Sequence, residues 1–388
     1  MGKVIISGAL ANKPFNGGNA WSRLSWILGF KRLGLDVCFI EEIAPSACLD
    51  PNGVVTSFEQ SINLAYFRSV MKRFGLGQSS ALIYDRGQAI CGRPLNELVT
   101  VAEQANLLFN LSGHLTLPEI KEPPRCKVYY DDDPGFTQFW HAAGDVGARL
   151  EGHDFFVTIG ENIGAQDCDI PTDGIRWGTT RPPVILDEWP PCPAMRFDRF
   201  TTVASWRGAY APIQSKTKTY GVKAHEFRKL IGLPQRNGTA FEIALQIHSH
   251  DKKDLDALQA NGWIIVDPKA VAASPDDFRH YVQTSGAEFS VAQGIYVETN
   301  SGWFSDRTVR YLASGKPALV QDTGFSRNYP VGKGLLTFRC LDEALEGAEA
   351  ITEDYETHCR AARQLAEEYF DSNTVIRELA QEIALPLP

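Results

Sequence analysis

The residues best suited to binding phosphate lie together between positions 300 and 325. Ser305 is predicted to cap a helix, because its hydroxyl can accept a hydrogen bond from the free amides of the first turn. That first turn contains Asp306, Arg307 and Thr308. A helix N-terminus with a guanidinium and hydroxyls beside it favours an anion, so we expect a phosphate site here. The alternative is a surface helix with an ordinary cap and a solvated arginine.

The residues after this helix indicate a buried strand that ends at the same site. Gly315 and Pro317 stop the helix, and the apolar run from Pro317 to Val320 predicts the strand. Asp322 follows the strand directly, and open α/β sheets place their ligands beyond the carboxyl ends of their strands. We therefore include Asp322 among the predicted ligand-binding residues.

This stretch resembles a known family. A helix ending in Ala-Ser-Gly-Lys-Pro, a hydrophobic strand and then Asp-Thr-Gly are similar to the C-terminal domain of two-Rossmann (GT-B) glycosyltransferases. The resemblance implies an α/β fold of two Rossmann-like domains, with parallel sheets facing a central cleft. It also implies that the helix approaches the ribose and diphosphate of a nucleotide-sugar donor. Many retaining members carry two glutamates, eight positions apart, ahead of this turn; this chain has Ser305 to Thr308 there, which leaves donor and stereochemistry open.

Composition restricts the class of protein. The chain of 388 residues has a net charge of −9, which argues against a general nucleic-acid binder but permits a local basic pocket. Its eight cysteines form no CxxC pair, so we expect a reduced, cytoplasmic protein. The first residues, MGKVIISGALA, predict a strand, and we expect neither a signal peptide nor a transmembrane segment.

The first 43 residues predict a strand, a glycine-rich loop, a helix and a second strand. Gly17 and Gly18 lie just before the helix, where they would let the backbone approach a diphosphate or a sugar. The loop lacks the GxGxxG pattern, so we infer no NAD site. Asn19 and Trp21 are expected near the same surface. The alternative is a flexible turn without a ligand.

Two further strands are predicted to end in polar residues at the same edge of the sheet. His114 follows one of them, and is a candidate general base or sugar ligand, or else a loop histidine bonded to backbone. Asp131, Asp132 and Asp133 follow the next strand. They could bind a metal, accept the proton of an acceptor hydroxyl, anchor sugar hydroxyls, or only cap the following helix. We do not expect a metal, because no second acidic group occurs at ligand spacing.

A proline-rich segment divides the chain. Residues 1–185 are predicted to form the acceptor-side domain, 186–199 the linker, and 200–360 the donor-side domain. The resemblance implies that helices in 361–388 cross back to the first domain.

The resemblance also implies phosphate-binding cations early in the second domain. Arg207 follows the first predicted strand there. The family uses a lysine a little later, and the spacing here leaves Lys216, Lys218 and Lys223 as candidates. A solvated basic loop is the alternative.

The sequence therefore predicts a glycosyltransferase that moves a sugar from a nucleotide-diphosphate sugar to an acceptor. The nucleotide sugar is a substrate, so no cofactor is expected, and the acceptor is a small molecule, a glycan or a peptide. We expect no nucleic-acid partner. A nucleotide-sugar 2-epimerase of the same architecture, or a transferase-like protein that binds without catalysis, are the alternatives.

Overall fold

The computed structural model describes residues 2–192, 197–215 and 218–387. The first domain contains an eight-stranded sheet with the order β4-β3-β2-β1-β5-β6-β7-β8 and one antiparallel pair, β3 with β4. Its interior strands are nearly continuous apolar runs, as expected for a parallel sheet covered on both faces. The strands are β1 (Lys3–Ser7), β2 (Asp36–Ile43), β3 (Ser80–Tyr84), β4 (Ala89–Gly92), β5 (Leu107–Leu111), β6 (Lys127–Asp131), β7 (Phe155–Thr158) and β8 (Trp177–Thr179).

Five helices of this domain connect or cover the strands. They are α1 (Gly17–Arg32), α2 (Ile62–Arg73), α3 (Leu95–Gln104), α4 (Pro118–Lys121) and α5 (Phe136–Ala142).

The second domain contains a six-stranded sheet, parallel throughout, with the order β13-β12-β9-β14-β15-β16. A separate antiparallel ribbon pairs β10 with β11. The strands are β9 (Arg199–Ser205), β10 (Ile213–Ser215), β11 (Lys218–Tyr220), β12 (Ala240–Gln246), β13 (Ile264–Val266), β14 (Ala287–Ser290), β15 (Ala318–Gln321) and β16 (Leu335–Phe338).

The helices of the second half surround this sheet, and a π-helical turn at Ala366–Phe370 precedes the last of them. They are α6 (Lys223–Arg228), α7 (Leu233–Asn237), α8 (Lys252–Ala260), α9 (Pro268–Val271), α10 (Pro275–Gln283), α11 (Gly294–Glu298), α12 (Asp306–Ala313), α13 (Leu341–Glu353), α14 (Tyr355–Leu365) and α15 (Ser372–Glu382).

The predicted architecture of two Rossmann-like α/β domains with parallel sheets is confirmed. Residues at the carboxyl ends of β6, β9 and β12 line one cleft between the domains, together with residues of the loop after β1. This placement follows the general rule that open parallel sheets bind ligands beyond the carboxyl ends of their strands.

Helix α1 belongs to the first domain but packs against both halves of the chain. It contacts α10 of the second domain and α15 at the end of the chain. Trp21 of α1 is fully buried, and its indole N–H donates to the carbonyl of Pro275 at 2.8 Å. The sequence predicts Trp21 near the surface of the cleft. In the structure it lies instead in the contact between the domains.

The chain crosses between the domains twice, at neighbouring positions. The amide of Val184 donates to the carbonyl of Phe370 at 2.8 Å, and the amide of Ser372 donates to the carbonyl of Val184 at 3.0 Å. Of the predicted linker, residues 193–196 lie outside the described part of the chain. No helix among the described residues is both long and apolar enough to cross a lipid bilayer.

The fold makes a prediction about Gly17. Its amide donates to the carbonyl of Ala272 at 2.8 Å, and an added Cβ would lie 2.1 Å from the carbonyl oxygen of Ser274. Because that atom belongs to backbone, Gly17→Ala must separate α1 from the second domain. We expect the variant to lose about 1–3 kcal/mol of unfolding free energy, measured by chemical denaturation.

Gly77→Ala is the matched control, since Gly77 is exposed and an added Cβ meets nothing within 4 Å. We expect a change within about 0.5 kcal/mol there. Equal stability of the two variants would contradict the close approach of the domains at Gly17.

Candidate active-site cleft

A cleft of about 870 Å³ lies between the two domains. It brings together predicted residues from four different segments of the chain. The predicted residues that line it are Gly18, Asn19, Asp132, Asp133, Lys223, Asp306 and Arg307.

The loop after β1 forms one wall of the cleft, and a buried carboxylate holds it in place. Glu41 accepts hydrogen bonds from the amides of Leu10, Ala11 and Asn12, at 2.8–2.9 Å, and from the side chain of Asn12 at 2.8 Å. Burial raises the pKa of Glu41, and the four donors oppose that rise. The loop therefore presents Lys13 and the residues after it in a fixed conformation.

Asp132 lies in the cleft as part of an ion pair. It contacts the guanidinium of Arg23 at 3.2 Å and accepts from the hydroxyl of Ser112 at 2.7 Å. Burial acts to raise the pKa of Asp132, but the charges of Arg23 and Lys13 outweigh it and lower that pKa below its usual value. Asp132 is therefore ionised and already paired.

Asp133 links the domains across the cleft. It accepts from the hydroxyl of Tyr296 in the second domain at 2.8 Å. Burial and the negative charge of Asp132 raise the pKa of Asp133. Of the two aspartates that line the cleft, Asp133 is thus the one whose surroundings favour taking up a proton.

Asp131 does not line the cleft, which corrects its prediction as a catalytic residue. It is the last residue of β6, fully buried, and it accepts from Thr137, Gln138 and Thr158 at 2.8–2.9 Å. These bonds fix the start of α5 against β6 and β7. Asp131 therefore anchors the first turn of α5 through side chains, whereas the N-cap position of that helix is Gly135.

His114 also does not line the cleft. Burial, with the charges of Arg23 and Lys13, lowers the pKa of His114 to about 3. The imidazole is therefore neutral near pH 7, and the charged groups that act on it, Arg23, Lys13 and Asp132, do line the cleft. Its role as a general base or sugar ligand stays a prediction.

Helix α12 begins beside the cleft, and only part of its first turn reaches it. Ser305 caps the helix by accepting from the amide of Arg307 at 3.3 Å, as predicted. Ser305 and Thr308 are buried and do not line the cleft, so they are not its phosphate ligands. Asp306 does line it, bonded to Ser22 and to Arg310. A carboxylate thus already occupies the positive end of the helix dipole.

Arg307 lines the cleft but is not a solvated arginine. Its guanidinium donates to Glu288 at 2.6 Å, to the carbonyl of Val203 at 2.9 Å and to Ser290 at 2.6 Å. Three of its five N–H groups are therefore used by protein, and the group is fixed in orientation.

Lys223 is a half-buried cation in the lining of the cleft. It is the first residue of α6, and its ammonium contacts no carboxylate within 4 Å among the described residues. Burial and the adjacent charge of Arg307 lower the pKa of Lys223 to about 7, although Glu288 and Asp133 oppose this. A bound anion would relieve the repulsion between Lys223 and Arg307.

The other predicted cations lie elsewhere. Arg207 is exposed and pairs with Asp251 at 2.5–2.8 Å, outside the cleft lining. Lys218 lies 3.6 Å from Asp169 on an exposed strand. Lys216 lies outside the described residues.

Two other predicted ligand residues have structural contacts. Asp322 is buried and accepts from the amide of Gly324 and the hydroxyl of Ser326, both at 2.9 Å. It fixes its own loop and does not line the cleft. Gly17 is the domain contact described above, and also lies outside the lining.

Sequence reasoning missed several residues in the cleft or in contact with its lining. Arg23 and Arg310 lie in helices where the sequence indicated ordinary amphipathic faces, yet both are almost fully buried. Tyr296 had no local signal, because its partner Asp133 is 163 residues away. Lys13 lies in the same loop as the Gly17-Gly18 pair, four residues before it, so position in that loop was the available signal.

Comparisons with known proteins show the fold. No family model matches the sequence, and no curated protein matches it. Among solved structures, an alpha-glucosyltransferase in complex with UDP has a TM-score of 0.61 at 11% identity, covering 98% of this chain and 99% of that one. The sucrose-phosphate synthase of Thermosynechococcus elongatus has a TM-score of 0.55 at 9% identity, covering 99% and 98%.

A third neighbour is Anabaena HepE in complex with UDP-glucose, with a TM-score of 0.58 at 13% identity, covering 98% of this chain and 99% of that one. One structure of the alpha-glucosyltransferase also contains a 13-mer DNA. At these identities the likeness shows a shared fold, and the chain has the two-domain GT-B fold along nearly its whole length.

The site makes a prediction about Asp131. In Asp131→Ala, the buried donors of Thr137, Gln138 and Thr158 lose their acceptor, so we expect a loss of about 2–4 kcal/mol of unfolding free energy. Burial raises the pKa of Asp131 from 3.8 to about 6 in the folded protein. A raised folded pKa gives stability at low pH that is lost as the pH rises. The unfolding free energy of wild type should therefore exceed that of Asp131→Ala most below about pH 4, and the difference should decline towards about pH 6.

Denaturant unfolding of both proteins at several pH values measures this advantage. Asp36→Ala, at an exposed position where β2 begins, is the control and should cost little at any pH. An advantage of wild type that grows with rising pH would refute the assignment.

Proposed function

We propose that this protein is a glycosyltransferase that takes a sugar from a uridine diphosphate sugar. The observation that carries the proposal is the position of Lys223. Its unpaired ammonium lies beside Arg307 in a cleft between two Rossmann-like domains, with Asp133 across from them. Structures of the same fold have been determined with UDP and with UDP-glucose, which supports the choice of uridine.

The first requirement of transfer is stabilisation of the departing diphosphate. Negative charge develops on it as the bond to the sugar breaks, and fixed positive groups in a cleft of low dielectric stabilise that charge most effectively. Lys223 supplies an ammonium without a carboxylate partner among the described residues, and Arg307 supplies a guanidinium that Glu288 and Ser290 hold in place. These two side chains are the proposed diphosphate ligands.

The second requirement is an acceptor hydroxyl that is oriented and loses its proton. Asp133 is the proposed base if the reaction inverts the anomeric centre, because its pKa is raised. If the configuration is retained, the leaving diphosphate takes the proton and Asp133 only orients the hydroxyl. The anomeric configuration of the product, read by proton NMR, decides between these roles.

We further propose a cytoplasmic reaction and an acceptor other than nucleic acid. The net charge of −9 disfavours a DNA backbone, although one neighbour of this fold was solved with DNA.

The direct test is incubation of the protein with UDP-, GDP- and TDP-glucose, followed by proton NMR. Slow release of UDP in water, faster with an acceptor, is the expected result. Conversion of UDP-N-acetylglucosamine to its 2-epimer without release of UDP would identify an epimerase instead. Binding of UDP-sugars with neither reaction would indicate a binding protein.

A prediction concerns the affinity for UDP-glucose. Lys223→Ala removes an ammonium–phosphate contact, for which we expect about 10- to 100-fold weaker binding by isothermal titration. The diphosphate of UDP-glucose keeps its charge between about pH 6 and pH 9, whereas Lys223 has a pKa of about 7 in the free protein. Affinity of wild type should therefore fall as the pH rises through this range.

Lys252→Ala is the matched control, since Lys252 is exposed on α8 and pairs only with Asp256. It removes the same charge and should bind UDP-glucose as wild type does. Equal binding by Lys223→Ala and Lys252→Ala, or a pH profile that Lys223→Ala leaves unchanged, would contradict the assignment.

A further inference from the structure

Phe15 combines two unfavourable features at the rim of the cleft. Its side chain is 43% exposed, which leaves apolar surface in water. Its backbone has a φ of 58°, in the left-handed region that bulky side chains rarely adopt. Such conformations persist where the surrounding structure imposes them, and they cluster at functional sites.

The surrounding structure does impose this conformation. Glu41 fixes the loop just before Phe15 through its bonds to Leu10, Ala11 and Asn12. From the other side, Tyr66 supports the ring edge-to-face, with the ring centroids 5.8 Å apart. The ring of Phe15 is therefore held in place, and it borders the cleft.

Hydrogen-bond donors flank this ring. Lys13 and Asn16 are both exposed and both line the cleft. The side-chain oxygen of Asn16 accepts from the amide of Asn19 at 3.0 Å, which leaves its NH₂ group to donate. The ammonium of Lys13 has no carboxylate within 4 Å among the described residues. The segment thus presents an aromatic ring and two hydrogen-bond donors from neighbouring residues to the same cleft.

We propose that Phe15, Lys13 and Asn16 form a subsite for a pyranose ring, and hence that the acceptor is a carbohydrate. A pyranose has one face of C–H groups, which packs against an aromatic ring, and a rim of hydroxyl oxygens that accept from ammonium and amide groups. Neither an extended peptide nor a lipid chain presents this combination. The inference rests on the proposed function, because it assigns the acceptor of that reaction.

The experiment measures binding of sugars to the wild-type protein by saturation-transfer NMR in the presence of UDP. The probes are methyl β-glucoside, maltose and cellobiose, with glycerol as the acyclic control. We expect saturation of the ring C–H protons of at least one pyranoside and none of glycerol. Phe15→Ala should weaken that binding about tenfold, and Phe15→Trp should preserve it.

Two controls separate this role from a structural one. Phe155→Ala removes an exposed aromatic ring, 38% exposed at the start of β7, that does not line the cleft, and it should leave sugar binding unchanged. Phe15→Gly relieves the left-handed strain, so we expect an equal or higher melting temperature together with the loss of sugar binding. A Phe15 with only a packing role would show a lower melting temperature.

The outcomes distinguish this inference from the proposed function. If UDP-glucose binds and is slowly hydrolysed but Phe15→Ala binds sugars as wild type does, the subsite is refuted and the transferase proposal stands. If Phe15→Ala weakens binding of UDP and not of sugars, Phe15 serves the donor, and the inference is also refuted. If wild type binds no UDP-sugar at all, the proposed function is refuted, and the acceptor subsite that rests on it is refuted with it.

Discussion

The buried carboxylate of Glu41 is the interaction on which the cleft depends most. It lies inside the sheet on β2, where an ion without partners would be expensive. It accepts four hydrogen bonds, all from residues 10–12, and these offset the cost of removing the carboxyl group from water. The segment that these bonds fix is a loop. That loop leads into α1, which forms one wall of the cleft and also the contact with α10. A single buried carboxyl group thus sets the geometry of both.

The polar groups of the cleft are mostly satisfied by one another, often across the domain boundary. Arg23 pairs with Asp132 within the first domain, whereas Ser22 bonds to Asp306 and Tyr296 to Asp133 between domains. These contacts orient the side chains before any ligand arrives, which lowers the entropic cost of binding. Lys223 differs from them, because its ammonium has no such carboxylate among the described residues and its pKa is depressed.

The fold was accessible from sequence because its signals are local. Apolar runs of strand length and the glycines that follow helices predicted both sheets, and Ser305 was recognised as a cap from its neighbours alone. The roles of Asp131, Asp132 and Asp133 were not accessible. Which of them points into the sheet depends on where β6 ends and on what α5 and β7 place opposite.

Long-range pairing explains the remaining differences. Arg207 was assigned to phosphate by its place after β9, but Asp251, which is 44 residues further on, takes up its guanidinium. The partners of Arg307 come from β9 and β14, and no spacing within α12 indicates them. The residue type and its sequence neighbours indicated that each arginine would bind an anion. The fold determines that this anion is a protein carboxylate, Asp251 for Arg207 and Glu288 for Arg307.

The paired crossings at Val184 and Phe370 have a mechanical consequence. Two backbone segments are hydrogen-bonded to each other where they pass between the lobes. Such a pair allows rotation about a single axis and resists rotation about the others. Rotation about the line of the crossings leaves these bonds in place, whereas twisting one lobe against the other would break them. We therefore expect any relative movement of the lobes to follow one path and to return them to the same register.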